Sequence, residues 1–273
     1  MTSLTKKEVI MASSLWQKTN YTNRDIDYLK NVTITEYDIS SAGMNILYDL
    51  GMISTDRYAV LSSMRKHDRV VAIGMLLKDA EMNKALSYGF EQARKIFIEQ
   101  NGLEDGSILS IKRDAFYLIN KDTGINGEIS SHIKFKKRKT YSSFIQIDRK
   151  EHYLEFSRET GSSLEVKGYK EIVRQVHKDH LFKFLQDILV KDLLGTSKKE
   201  LFIELLRFKD EFVSRQLPQG YYRELVEGTY PVIGYVNVYG SPALDTSVIP
   251  LEQIDYRVNL NFVLGVINLI LST

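Results

Sequence analysis

A chain of 273 residues with 43% hydrophobic and 11% aromatic content holds enough apolar material for one large or two medium domains, and is not disordered. Charged residues make up 26% of it but nearly cancel, at net +2, so any affinity for nucleic acid has to come from local basic clusters rather than an overall field. The lack of cysteine excludes disulfides, thiolate zinc sites and a thiol nucleophile, and with neither a signal peptide nor a run of about 20 apolar residues the chain is expected to be cytoplasmic and off the membrane.

In chain order, residues 1–33 read as a helical lead-in. One helix is expected from Lys6 to Trp16, and a second is capped by Asn23 with Asp25 and Asp27 in its first turn, where the helix dipole favours them. A β-rich run from Ile34 carries Asp38 and turns at Ser41, Ala42 and Gly43; the following helix ends at Gly51. From Ser54 to Gly102 a 3.6-residue period predicts two or three helices, broken near Gly74 and Gly89. At Ser107 the period changes to that of strands. A meander is expected through 108–119, 132–147, 152–157 and 164–169, with 108–119 a single strand interrupted by Asp114. Two amphipathic helices follow, Glu171–Leu194 and one capped by Ser197, then a short extended segment at Tyr230–Asn237 and an apolar C-terminal helix. The reading is α+β: an antiparallel sheet with helices on one face, followed by a mainly helical domain. Its boundaries are 1–33, 34–170 with a helical insertion at 52–102, and 171–273.

Asp38 and Asp114 are the candidate functional pair. Each strand places one Asp at mid-length, and two such groups suit Mg²⁺, which takes a few carboxylate oxygens and leaves its remaining positions to water and phosphate. The five histidines, His67, His132, His152, His177 and His180, lack the HExxH spacing and read as surface or supporting residues.

The order of short motifs resembles the palm and thumb of family B DNA polymerases. The family's Asp-x-x-Ser-Leu-Tyr-Pro-Ser-Ile is similar to Asp38-Ile39-Ser40-Ser41-Ala42-Gly43-Met44-Asn45-Ile46. Its Lys-x-x-x-Asn-Ser-x-Tyr-Gly is similar to Lys66–Gly74, and its Tyr-Gly-Asp-Thr-Asp-Ser to Ser110–Ala115. A basic strand ending in Tyr resembles Lys136–Tyr141, a Lys-Gly followed by Val-Arg resembles Lys167-Gly168 with Val173-Arg174, and a closing Ile-Asp-Tyr resembles Ile254-Asp255-Tyr256.

This resemblance implies a palm-like domain with a short fingers remnant and a thumb-like domain. Asp38 and Asp114 would be the catalytic, Mg²⁺-binding pair. Ser41, Ala42, Gly43, Lys66 and Arg69 would bind a nucleotide; Lys137, Lys139, Tyr141, Lys167 and Arg174 would grip primer-template nucleic acid by its backbone, which sets position rather than sequence preference. Three departures stand out: Gly43 replaces the Tyr beneath the sugar, Ile73 replaces the fingers Tyr, and Lys112 replaces the first Asp of the third motif. Only 37 residues precede Asp38, too few for an exonuclease domain. The expectation is therefore a phage or mobile-element protein, in the host cytoplasm or the virion, that binds nucleic acid or a replication or virion assembly. The alternatives are an active minimal or split polymerase, with a second subunit supplying what is missing, and an unrelated α+β structural protein.

Overall fold

A computed structural model describes residues 13–223 and 256–273. Its fold is α+β with antiparallel strands. Two compact units divide it: the first takes residues up to Asp25 and Thr33–Thr140, the second Ile26–Val32 and Tyr141–Thr273. Residues 150–167, expected from the sequence to belong to 34–170, fall in the second unit.

In the first unit lie β1 (Asn20–Thr22), β3 (Ile108–Lys112) and β4 (Ala115–Ile119), with the part of β2 (Tyr28–Ile39) from Thr33 and the part of β5 (Phe135–Ile147) up to Thr140, in the order β1-β3-β4-β2-β5. This is not the expected meander, because β2 inserts beside β4, pairing Tyr37 with Phe116 and Asp38 with Ala115. The expected helix after Asn23 is absent. The Asn23 side chain instead accepts from the Asp25 N–H two residues on, closing a turn into β2. Of the helix expected at Lys6–Trp16, residues 6–12 lie outside the described residues, and Leu15–Gln17 is a single 3-10 turn.

Helices α1 (Ala42–Asp49), α2 (Thr55–Ser63), α3 (Lys66–Leu76) and α4 (Ala80–Gln100) pack with one face of these strands. Leu86, Phe90, Ala93 and Phe97 fall on one stripe of α4, and Phe97 stacks among Phe116, Phe135 and Tyr37. The break expected near Gly74 falls just after it, at the end of α3, but none falls at Gly89. Helix α4 starts at Asp79, whose carboxylate accepts from the Glu81 and Met82 N–H groups. It runs unbroken through Gly89, where a Cβ would stand 2.1 Å from Ile46 Cγ2; that glycine lets α1 and α4 meet rather than ending a helix.

In the second unit the end of β5, β6 (Lys150–Ser157) and β7 (Gly161–Lys167) form consecutive hairpins. Helices α5 (Glu171–His177), α6 (Leu181–Leu193), α7 (Lys198–Val213) and α8 (Arg257–Ser272) complete it. Glu171–Leu194 is two helices rather than one, since His180 at φ −126, ψ −107 breaks the helical path. Ser197 and Glu200 form the reciprocal capping box of α7. The C-terminal helix docks as expected, burying Phe262, Val263, Val266 and Ile270. Tyr230–Asn237 and the start of the Ile254-Asp255-Tyr256 motif lie outside the described residues. His152 and His177 are fully buried, not surface residues.

Candidate functional site

Asp38 is the penultimate residue of β2. Ser41 adopts a left-handed conformation (φ 53), and the Asn45 amide donates to the Ser40 carbonyl at 2.9 Å, so the chain leaves the strand in a fixed turn and enters α1 at Ala42. Asp114 is not in mid-strand. Lys112 pairs with Ala115, leaving Arg113 and Asp114 as a two-residue hairpin turn with Arg113 at φ 26. Asp38 pairs with Ala115 and the Ile39 N–H donates to the Asp114 carbonyl at 3.0 Å. The two acids therefore sit at the same end of adjacent strands.

A cleft of about 670 Å³ opens there, within the first unit. It brings together Asp38, Asp114, Ser41, Ala42, Gly43, Lys66 and Arg69, seven residues spread over 77 positions of sequence. Ser41 to Gly43 present the N-terminal end of α1, where main-chain N–H groups lack acceptors within the helix. Lys66 and Arg69 come from the first turn of α3. Arg113 and Arg138 join them, so four cations surround two carboxylates. Val70, Ile73, Leu77, Leu86 and Phe90 make the opposite, apolar wall.

Burial, and then the neighbouring Asp114 charge, raise the Asp38 pKa, against the opposing pull of Arg138. Burial likewise raises that of Asp114, opposed by its own backbone N–H, Arg113 and Arg138. Glu36, on the same side of β2 as Asp38 and hydrogen-bonded by Tyr117 Oη at 3.0 Å, adds a smaller push on both. The replaced motif carboxylate, Lys112, bonds Thr22 Oγ1 at 3.2 Å. The cation paired with Asp38 is Arg138, at 2.5 Å. It lies in the basic 136–139 run, but only the neighbouring of β5 with β2 reveals its role. The departures at Gly43 and Ile73 meet: a Cβ on Gly43 would come within 3.2 Å of Ile73 Cγ2. The space that an aromatic side chain at 43 would need is filled from α3.

Asp38 and Asp114 are the side chains that could hold a hard divalent cation. Two partly withdrawn carboxylates beside phosphate-sized room match the usual Mg²⁺ pattern of one or two carboxylates plus ligand oxygens. Among the described residues no third Asp, Glu or His completes an all-protein cage.

Arg94 was invisible to sequence reasoning. It is buried on α4, where burial lowers its pKa, and it donates to the Trp16 and Arg113 carbonyls, both at 2.9 Å. Since Arg113 precedes Asp114, this side chain fixes the turn that carries the acid. Arg94→Met loses two charge-assisted bonds but relieves a buried guanidinium of its desolvation. We expect a net loss of about 2 kcal/mol in urea denaturation, with Arg94→Lys recovering part of it.

The five residues expected to grip nucleic acid are divided between the two units. In the first unit Lys137 pairs with Asp122, and Lys139 lies two residues on along β5. In the second, Tyr141 is buried, its hydroxyl donating to Glu165 at 2.8 Å, so it presents no surface to a nucleic-acid backbone. Lys167 pairs with the same Glu165, and Arg174 with Glu171. Among the described residues no helix is long and apolar enough to cross a membrane.

Comparison with known proteins gives one family model, described as Bacteriophage PBS1 gene 130 protein, which matches residues 11–272. No curated protein matches the chain.

Proposed function

This chain belongs to the Bacteriophage PBS1 gene 130 protein family, and from that premise we propose that it is a palm-like phage protein whose cleft holds the phosphates of a nucleotide or of a nucleic-acid end. The observation that carries the reading is the convergence of Asp38, Asp114, Ser41–Gly43, Lys66 and Arg69 on one cleft, the residues that the family B polymerase resemblance pairs with metal and triphosphate. Asp38 and Asp114 would hold Mg²⁺, which would supply positive charge to phosphate oxygens. Lys66 and Arg69 face the same space as point charge and fork, and the N-terminus of α1 favours anionic oxygens. Val70, Ile73 and Leu77 would offer an apolar surface to a base or sugar. Such a protein would work within a phage replication or virion assembly, beside a second polymerase subunit or an assembly protein.

We read it as a binding module rather than a polymerase, because Ile73 packs on Gly43 where an aromatic would order the sugar, and Arg138 sits on Asp38. Full-chain protein titrated with a fluorescent deoxynucleoside triphosphate in Mg²⁺ should bind it. Lys66→Ala should weaken binding roughly tenfold, about 1.4 kcal/mol, and Asp114→Asn should remove the Mg²⁺ dependence. Absence of binding to both the nucleotide and a primer-template duplex at low salt would sink the reading. The second reading, template-dependent nucleotidyl transfer, is favoured by Lys112 bonding to Thr22. Primer extension that is lost in Asp114→Asn would establish it.

A further inference from the structure

Arg138 stands on β5, and its Nη1 donates to Asp38 Oδ2 at 2.5 Å. Its side chain is 54% exposed, whereas Asp38 is only 14% exposed. The two ends of this pair are unequal. A half-exposed guanidinium is already partly hydrated, so parting from this carboxylate costs it less in lost solvation than it costs Asp38. Asp38 is different: it is largely withdrawn from water and feels Asp114 and Glu36 beside it. Stripped of a positive partner, it is destabilised unless another cation arrives.

We propose that Arg138 is an exchangeable counter-cation: it holds Asp38 while no metal is bound, yields it to an incoming divalent cation, and then turns to the phosphate oxygens that arrive with the metal. This rests on the reading of Asp38 and Asp114 as a cation site. The arrangement suits a protein that should engage phosphate and metal together. A free cation must compete with the guanidinium, whereas a metal-phosphate complex offers that guanidinium a new partner. Arginine suits both states, because its planar fork matches carboxylate and phosphate alike. Lys66 and Arg69, from another element, line the same cleft.

The test is Mn²⁺ binding to the full-length protein, followed by the electron paramagnetic resonance signal of free Mn²⁺. Arg138→Gln should bind Mn²⁺ roughly tenfold more tightly than wild type, because a competing charge is gone. Arg138→Lys, with the charge on a different arm, should fall between them and serves if the glutamine variant does not fold. The melting temperature of the glutamine variant should rise more on adding Mn²⁺ than that of wild type, a response that a purely structural ion pair does not give. Equal or weaker Mn²⁺ binding by Arg138→Gln overturns the exchange and leaves the cation site standing. If neither protein binds Mn²⁺ at millimolar concentration, the cation reading of Asp38 and Asp114 fails, and the exchange fails with it.

Discussion

Replacing Asp192 by alanine is expected to destabilise the second unit by about 3 to 5 kcal/mol, the range for removing one partner of a buried ion pair. Asp192 lies on α6 with its side chain 2% exposed. Tyr28 Oη donates to it at 2.5 Å, and Lys30 Nζ reaches both carboxylate oxygens at 3.0 and 3.1 Å. Lys198 lies 3.9 Å away at the start of α7. One carboxylate thus ties the first residues of β2 to two helices of the same unit. Burial, with Asp192 next in effect, raises the Tyr28 pKa well above the ordinary phenol value, so the hydroxyl stays a donor throughout the physiological range. Alanine leaves that donor and the Lys30 ammonium without their acceptor and opens a cavity. Asp192→Asn keeps an acceptor for Tyr28 but not the charge for Lys30, so it should cost less. Adding Lys30→Met to Asp192→Ala should recover part of the loss, since the unpaired ammonium goes too. Urea denaturation followed by circular dichroism measures these differences. Fluorescence of Trp16, the one tryptophan in the sequence, reports the first unit separately. Equal stability of wild type and Asp192→Ala would mean that the cluster contributes nothing net.

Part of the cleft was legible from local signals: an acid ahead of a small-residue turn is visible as spacing. Lys66 and Arg69 came only with the motif resemblance, and no helix start was expected at Lys66. What those residues approach was not legible, because cross-strand neighbours depend on register. Arg138 meets Asp38 across 100 residues, and nothing in the basic run marks it apart from Lys137, which points to Asp122 instead. The hairpin turn at Arg113–Asp114 carries none of the Gly or Asn that usually announce a tight turn, so the two short strands read as one. The insertion of β2 beside β4 is likewise a non-local choice. Asn23 misled because the same side-chain acceptor closes a turn or caps a helix, and only the β-rich sequence after Tyr28 decides between them. By contrast, the α7 capping box and the apolar stripe of α8 lie within one or two turns of helix, and both were readable.

Acidification is expected to remove about 3 kcal/mol of stability through His152 alone. The ring is fully buried on β6, among Tyr169, Phe182 and Phe262 with centroids 5.6 to 5.9 Å away. Nδ1 lies 3.2 Å from the Ile145 carbonyl, and Nε2 lies 3.2 Å from Tyr169 Oη. A neutral ring satisfies both, donating at Nδ1 and accepting at Nε2, with the Tyr169 phenol held protonated by its own burial. A second ring proton would displace that hydroxyl donor and place a charge in an apolar core. Burial accordingly pushes the His152 pKa down to about 4, partly offset by the main-chain acceptors at Ile145 and Lys150. In the unfolded chain the value is the ordinary 6.5. The stabilisation is therefore complete above about pH 6.5 and is lost progressively as pH falls to about 4, because in that window the unfolded chain takes up the proton and the folded one does not. Asp38 and Asp114 work the other way, since their raised pKa values make protonation favour the folded state as pH falls. The informative quantity is thus the difference between wild type and His152→Gln, which carries no titrating ring. Urea midpoints at pH 7.5 and pH 5 should show wild type losing about 2 kcal/mol more than the variant over that interval. Parallel pH profiles would mean that His152 is not held neutral by the fold.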